Sequence, residues 1–353
     1  MKQHKSHSGY RANLMDVADH VGVSAMTVSR ALNQPDKVAE ATRERVQEAI
    51  EALGYVPTLA ANTLRRERSG VIVVVVPTID QSVFSDTVQG ISNTLDKAGY
   101  QLLLACASYD PDKEEDLVKA FLGHRPDGVI LTGTLHTPTT RRHLANAGVP
   151  VVEMWDVSDE NMDMAVGFNN FEAGYAIAQH MFRCGYERVG YVATGPAHEA
   201  RENRAATRSK GIYAAFSDAG FAEPVRMNVR DPLIIQDSGR IAADFVLSHP
   251  DIDAIICANE IIGVGAINEL RERGVSVPDD IGVSGIGDAN IAALVSPGLT
   301  TVQFPGYEIG TQSAELLLAR LDDPTSTSER RDVGFDVVPR GSTVGIKGCD
   351  QPR

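Results

Sequence analysis

Two sets of residues in this chain have the types and spacing to do chemistry, and both sets suit binding more than bond making. In Leu14–Asn33, Ser24 has the character of a helix N-cap, and the helix it would open carries Ala25, Met26, Thr27, Ser29 and Arg30. On such a helix Ala25, Met26 and Arg30 share the side that enters a DNA major groove. The guanidinium fork of Arg30 matches O6 and N7 of guanine, Ala25 and Met26 offer apolar contact to thymine methyls, and the hydroxyls of Thr27 and Ser29 suit phosphates, with Ser24 at the DNA-facing start of the helix. The second set stands just past apolar runs, where open α/β sheets bind ligands outside the carboxyl ends of their strands. Asp80, Gln81 and Phe84 follow Val71–Val76; Thr132 and His136 close the run from Gly128; Trp155 and Asp156 follow Val149–Met154; Asn259 and Glu260 follow Ile255–Ala258; and Asp288 follows Ile281–Ile286. Carboxylates, amides and aromatic faces are the groups that hold a polyhydroxylated metabolite.

Motifs of catalysis are missing. No Gly-x-x-x-x-Gly-Lys-Ser/Thr loop occurs, and Gly263-Val264-Gly265 lacks the third glycine of a dinucleotide fingerprint. Gly282-Val283-Ser284-Gly285 is not a nucleophile elbow, and His198-Glu199 lacks a second histidine at metalloprotease spacing. Cys106, Cys184, Cys257 and Cys349 lie far apart with no Cys-x-x-Cys pair, which reads as reduced thiols and no metal site. The expectation is a protein that is not an enzyme and needs no cofactor or metal.

The elements that must position these residues change character along the chain. Leu14, Val17, Ala18 and Val21 have the spacing of one short helix, and Val28, Ala31 and Leu32 that of a second. Ala18 is small where two helices cross, Gly22 supplies the turn and Val28 faces the core, so the pair reads as a helix-turn-helix. A third helix is expected over Thr42–Leu53, stopped by Gly54. Near residue 70 the pattern becomes Val/Ile/Leu runs alternating with amphipathic helices: Val71–Val76, Gln101–Ala105, Gly128–Thr132, Val149–Met154, Arg188–Ala193, Ala254–Ala258 and Ile281–Ile286. Continuous runs of this kind predict parallel strands buried on both faces, hence doubly wound α/β architecture. The series is interrupted near Phe168-Asn169-Asn170 and resumes with a helix over Ala173–Arg183, which predicts two lobes; the tail Asp332–Ile346 reads as a strand. The expected domains are an all-α helix-turn-helix unit over 1–56, a linker over 57–69 and an α/β unit over 70–353. Within the last, lobe 1 takes about 70–170 and 301–331, and lobe 2 about 171–300 and 332–346.

The overall charge of −14 is unevenly spread. Residues 1–69 hold ten Lys/Arg against eight Asp/Glu, a balance of +2, so the rest carries −16. The acidic excess thus lies outside the segment expected to meet phosphates. Met1-Lys2-Gln3-His4-Lys5 leads into no apolar segment, and Val71–Val76 is far too short to span a bilayer, so neither export nor a membrane partner is expected and the compartment is read as cytoplasmic.

Asp16-Val17-Ala18, Gly22-Val23-Ser24, Thr27-Val28-Ser29-Arg30, Thr42-Arg43 and Leu53-Gly54-Tyr55-Val56-Pro57 together resemble the headpiece of the LacI/GalR repressors. The likeness continues through Asn259, Val277-Pro278-Asp279-Asp280, Leu299-Thr300-Thr301-Val302 and Arg340-Gly341-Ser342-Thr343. It implies a periplasmic-binding-protein-like fold after the headpiece, with a homodimer, a palindromic double-stranded operator and a small-molecule effector as partners. Pro57–Arg65 resembles the family's hinge helix, in which Leu64 matches the leucine that wedges into the minor groove and Ala61 and Arg65 flank it. Asn62 replaces the arginine often found there. At about two turns, such a helix is shorter than the roughly 12–15 residues an isolated helix needs, so it is expected to fold only on DNA.

Arg208, three residues before Gly211, matches the family's effector-binding arginine, and Asn259-Glu260 stands where the family usually has Asn-Asp. Val76–Phe84, Leu131–Pro138 and Ala165–Ala173 are similar to the gluconate-operon repressor branch, which implies a sugar acid as effector and Arg208 as the partner of its carboxylate, with Lys210 and His136 as other cations at hand. The rival reading is a sugar-binding protein of a transport system, whose two-lobed fold would look the same from residue 70 onward but would carry a signal peptide and no headpiece.

Overall fold

The computed structural model describes residues 12–55, 68–80, 82–229, 235–288 and 290–343, and it divides into two compact units, Met1–Ser69 and Gly70–Arg353. In the first, helix α1 (Leu14–Val21) is opened by Asn13, whose side chain accepts from the amide of Met15 at 2.8 Å while the Asp16 carboxylate accepts from the Asn13 amide at 2.7 Å. This reciprocal cap satisfies amides that a helix start leaves open. Gly22 closes α1 at φ +73°, a left-handed turn that a side chain would strain. Helix α2 (Ala25–Asn33) starts at Ser24, whose Oγ accepts from the Thr27 amide at 3.1 Å. Helix α3 (Glu40–Leu53) begins two residues earlier than the sequence spacing predicts and ends at Gly54. The three share a small core of Val17, Ala18, Val21, Val28, Ala31, Val46, Ala49 and Tyr55. Arg45 donates to the Val21 carbonyl at 2.5 Å, pinning α3 to the end of α1.

The second unit holds two six-stranded sheets. Sheet 1 contains β1 (Val71–Val76), β2 (Gln101–Cys106), β3 (Gly128–Thr132), β4 (Val151–Met154), β5 (Met164–Gly167) and β11 (Arg330–Asp332), in the order β11-β5-β4-β3-β1-β2 and parallel throughout. Sheet 2 contains β6 (Val189–Thr194), β7 (Val225–Val229), β8 (Ala254–Cys257), β9 (Gly282–Ile286), β10 (Thr300–Gln303) and β12 (Asp336–Val338), in the order β12-β10-β9-β8-β6-β7. Only the edge strand β12 runs antiparallel, against β10. The helices between strands are α4 (Ser82–Lys97), α5 (Pro111–Leu122), α6 (Pro138–Ala147), α7 (Asn170–Arg183), α8 (Pro196–Glu199), α9 (Asn203–Ala219), α10 (Ile235–Ser248), α11 (Glu260–Glu272), α12 (Asn290–Leu294) and α13 (Gly306–Asp322). Every residue of β1, β4, β6, β8 and β9 is buried, as the continuous apolar runs require of strands covered on both faces.

Three details depart from the sequence reading. Strand β10 spans the lobe boundary drawn at 300/301 and pairs wholly within sheet 2, so the chain returns to lobe 1 after Gln303. The tail is not one strand: Arg330–Asp332 extends sheet 1 and Asp336–Val338 edges sheet 2, separated by a turn at Gly334 with φ +70°. Cys106 and Cys257 are free thiols, but Cys184 is disulfide-bonded, because spacing along the chain says nothing about which segments meet in space.

Helices α7 and α9 pack backbone to backbone. A Cβ at Gly174 would lie 2.0 Å from the Arg208 carbonyl oxygen and one at Gly211 would lie 2.0 Å from that of Phe171, so only glycine permits this approach. The crossing brings Asn170, the first residue of α7, against Arg208 in the second turn of α9.

Candidate functional site

In the first unit, Ser24, Met26 and Arg30 are exposed along α2, while Ala25, Thr27 and Ser29 are partly covered. Met26 is an exposed apolar side chain on an otherwise polar face, and Arg30 is solvent-accessible toward the end of the helix. Two hydroxyls are committed to the helix start: Ser24 Oγ and Thr27 Oγ1 are 2.9 Å apart, as well as capping the Thr27 amide. Val28, on the opposite face, is fully buried against α1. The outer face of α2 therefore presents an apolar tip and a guanidinium, with the cap fixing the helix axis. Ala61, Leu64 and Arg65 lie outside the described residues.

In the second unit a cleft of about 580 Å³ opens where the strands of both sheets end. Tyr109 follows β2, Trp155 follows β4, Thr194 ends β6, Asn259 follows β8, Gly287 follows β9 and Phe304 follows β10. The placement is that of a ligand site at the carboxyl edges of doubly wound sheets. Phe84, Trp155, Arg208, Asn259 and Glu260, all expected from the sequence, line it. Trp155 takes the left-handed backbone conformation, φ +73°, which costs a non-glycine residue about 1–3 kcal/mol and is held here by its surroundings. Its ring packs against Phe84 at 5.2 Å and edge-on to Phe168 and Phe304 at 6.0 Å each, while Phe168 and Phe304 stack at 4.2 Å. These rings form an apolar wall. The Trp155 Nε1 and Thr194 Oγ1 atoms in this lining are buried and have no hydrogen-bond partner among the described residues. Buried polar groups are ordinarily paired, so both are open to a guest.

The opposite wall is charged. Glu202 is hydrogen-bonded to His198 at 2.9 Å, paired with Arg204 at 2.9 Å, and has Arg208 at 3.6 Å. Burial alone would raise its pKa, but Arg204, His198 and Arg208 together hold the carboxyl far below the usual carboxylate range. Arg204 also lies over the Phe84 ring at 5.7 Å. Arg208 donates to Asn170 Oδ1 at 2.7 Å, and Asn170 in turn donates to the Trp155 carbonyl and to Asp156 Oδ1, both at 3.0 Å. Asn203 of α9 donates to Thr134 Oγ1 at 2.7 Å, past the end of β3. These bonds join the lobes beside the cleft. Asn259 spends its side chain on the Ile262 amide at 2.9 Å as the cap of α11. Glu260 is buried, and burial pushes its carboxyl up to about 7, with nearby Asp288 adding to the shift and Arg208 opposing it.

The other expected residues sit elsewhere. Thr132 donates to the Val75 carbonyl at 3.2 Å and lines an adjoining cavity of about 410 Å³ that shares Tyr109, Glu202 and Arg204 with the cleft. Asp80 is exposed and outside the cleft, and Gln81 lies outside the described residues. His136 is wholly enclosed between Glu114, 2.6 Å from Nδ1, and Glu153, 3.2 Å from Nε2. Burial would lower its pKa, but the hydrogen bonds to the two carboxylates outweigh that and lift it to about 9, so it serves as an internal cation and not as a cleft residue. Asp288 turns away from the cleft to Arg340, Thr301 and Gln303. Of the cleft residues that the sequence reading missed, Tyr109 and Thr194 stand just past or at the end of apolar runs, so the same rule could have found them. His198, Glu202 and Arg204 come from the helical side and have no such signal.

Comparison with known proteins identifies both units. A family model described as periplasmic binding proteins and sugar binding domain of LacI family matches residues 69–335, and one described as bacterial regulatory proteins, lacI family, matches residues 13–58. The HTH-type transcriptional regulator GntR of Escherichia coli (strain K12) is 34% identical over 332 residues, 94% of this chain and 98% of that protein. The HTH-type transcriptional regulator IdnR of the same organism is 32% identical over 340 residues, 95% of this chain and 99% of that protein. A LacI-family transcriptional regulator from Silicibacter pomeroyi has a solved structure that superposes with a TM-score of 0.86 at 30% identity, over 94% of this chain and 99% of that one. These relatives are transcriptional regulators, and among the described residues no helix is long and apolar enough to cross a membrane. With its helix-turn-helix unit and its two-sheet ligand-binding unit both matched, this chain belongs to the LacI family of DNA-binding bacterial regulatory proteins.

Proposed function

We propose that this chain is a repressor that holds a palindromic operator as a homodimer and is released from it by a sugar acid, gluconate or a close relative, bound in the cleft between its lobes. The observation that carries the effector assignment is the meeting in one lining of two guanidiniums, Arg204 and Arg208, with two buried polar atoms, Trp155 Nε1 and Thr194 Oγ1, that have no partner among the described residues. Two arginines face a single strongly ionised carboxylate, Glu202, which leaves room for an anion; hydroxyls of a polyol suit the indole N–H and the threonine. The likeness of Val76–Phe84, Leu131–Pro138 and Ala165–Ala173 to the gluconate-operon repressor branch, and the GntR and IdnR relatives, support the same class.

In the first unit, Arg30 reads guanine, Ala25 and Met26 meet apolar base edges, Thr27 and Ser29 approach phosphates, and Ser24 caps the DNA-facing start of the helix. The segment with Ala61, Leu64 and Arg65 joins this reader to the effector unit and wedges the operator centre. An effector that binds one arrangement of the two lobes more tightly shifts the population toward it, and linkage requires operator to weaken effector binding by the same factor. Trp155, the only tryptophan, gives the direct test. Its emission should change on titration with gluconate and remain unchanged with neutral sugars, and gluconate should lower the affinity of the full chain for its operator. A response confined to neutral sugars would overturn the sugar-acid assignment. Undiminished operator affinity and bending in Leu64→Ala would remove the wedge assignment.

A further inference from the structure

Among the described residues lining the cleft, Glu260 is a buried carboxyl held in no ion pair or side-chain hydrogen bond. Its side chain is 5% exposed, packed so closely under Gly287 that a Cβ there would meet Oε2 at 2.3 Å. Among the described residues no side chain is hydrogen-bonded to its carboxyl, which bonds to its own backbone amide. The charged and titratable groups around it come from every side of the site. Asp288 lies past β9 and is itself held by Arg340 at 2.6 and 2.9 Å; Arg208 comes from α9; Tyr109 from the turn after β2; and His198 and the Glu202–Arg204 pair from the start of the α8–α9 region. Glu202 is ionised and satisfied. Glu260 is buried without an ion pair among the described residues.

We propose that Glu260 is the residue that selects an anionic effector, by entering the complex as a neutral carboxyl that donates its hydrogen to the guest, so that binding of a sugar acid takes up a proton. The inference rests on the sugar-acid reading above and deepens it. The physical ground is the charge count of the lining. Among the described residues, and leaving His198 paired with Glu202 in both forms, an ionised Glu260 balances the second of the two guanidiniums, Arg204 and Arg208, so a carboxylate guest meets a less positive wall containing a buried anion. With Glu260 protonated, the same wall is more positive by one charge and offers one additional donor. An anion binds the second form better, so by linkage it raises the occupancy of that proton. A neutral polyol gains only the hydrogen bond and draws the proton far less. In the free protein burial places the Glu260 carboxyl near 7, close enough to working pH for the uptake to be fractional and measurable.

The experiment is titration calorimetry of the full chain with gluconate at pH 6.0, 7.5 and 8.5, each in two buffers of different ionisation heat, with glucitol as the neutral comparison. Gluconate stays ionised throughout this range, as ordinary carboxylates do. The expected result is uptake of a substantial fraction of one proton per gluconate at pH 7.5, and an affinity that falls about tenfold or more from pH 6.0 to 8.5. In Glu260→Gln, which keeps a neutral donor of the same size, the uptake should vanish and the affinity should become flat with pH. That arm separates Glu260 from His198, whose protonation would survive the substitution. Gluconate affinity independent of pH in the wild-type chain, or proton uptake undiminished in Glu260→Gln, overturns the inference and leaves the sugar-acid reading standing. Binding of glucitol without any binding of gluconate overturns both. Should Glu260→Gln fail to fold by circular dichroism, the wild-type two-buffer measurement decides alone.

Discussion

The guanidinium of Arg340 holds both carboxylate oxygens of Asp288, Nη1 to Oδ1 at 2.6 Å and Nη2 to Oδ2 at 2.9 Å, across 52 residues of chain. The same guanidinium donates to the Leu299 carbonyl at 2.7 Å, and Thr301 and Gln303 of β10 complete the carboxylate's shell. The pair therefore fastens the segment after β12 to the ends of β9 and β10. Removing one partner leaves a mostly buried charge unmatched. Arg340→Ala is expected to cost the effector-binding unit about 3 kcal/mol. Urea unfolding of the full chain, followed by Trp155 emission, measures this, and a midpoint unchanged from wild type would contradict it.

His136 between Glu114 and Glu153 predicts a pH dependence. Its pKa is about 9 in the folded chain and near the ordinary 6.5 when unfolded, so the folded state holds the proton more tightly. Its contribution to stability is fully present below about pH 6.5 and is lost as pH rises through about 9. Thermal unfolding at pH 6.5 and 9.5 should show a larger drop for wild type than for His136→Gln. Equal drops in the two proteins would refute the charged triad.

Arg30 and Met26 predict different losses on DNA. Arg30→Ala should cost about 1–3 kcal/mol on the operator and relax preference at one base pair of each half-site, with little change on random duplex. Met26→Ala, lacking a hydrogen bond to lose, should cost less. Fluorescence anisotropy against an operator and its single-base variants reads both. Equal losses on operator and random duplex for Arg30→Ala would assign it to the phosphates instead.

The contact of Gly174 with the Arg208 carbonyl oxygen predicts a distant effect on the cleft. Gly174→Ala cannot be absorbed at 2.0 Å, so α7 and α9 must separate and the Arg208–Asn170 hydrogen bond must lengthen. Gluconate affinity should fall about tenfold or more, at a stability cost of about 1–3 kcal/mol. Trp155 titration beside a thermal melt separates these. Wild-type gluconate affinity in this variant would show that Arg208 needs no support from Asn170.

The sequence by itself determined the elements, because period and punctuation are local. Valine runs buried on both faces announce parallel strands, and Val17, Ala18, Gly22, Ser24 and Val28 announce two helices and their turn. It also placed Phe84, Trp155, Arg208, Asn259 and Glu260 in the cleft, largely because ligands collect at the carboxyl ends of strands. Tertiary structure alone decided what each polar side chain does there. Asp288 and Glu260 both follow buried elements in the sequence, yet one is ion-paired with Arg340 and the other has no ion pair among the described residues. His136 and His198 differ in the same way, the first sealed between two carboxylates and the second beside the cleft with Glu202. Charge pairing depends on distance through space, and residues 52 or more positions apart along the chain carry no mark of the partner that folding brings to them.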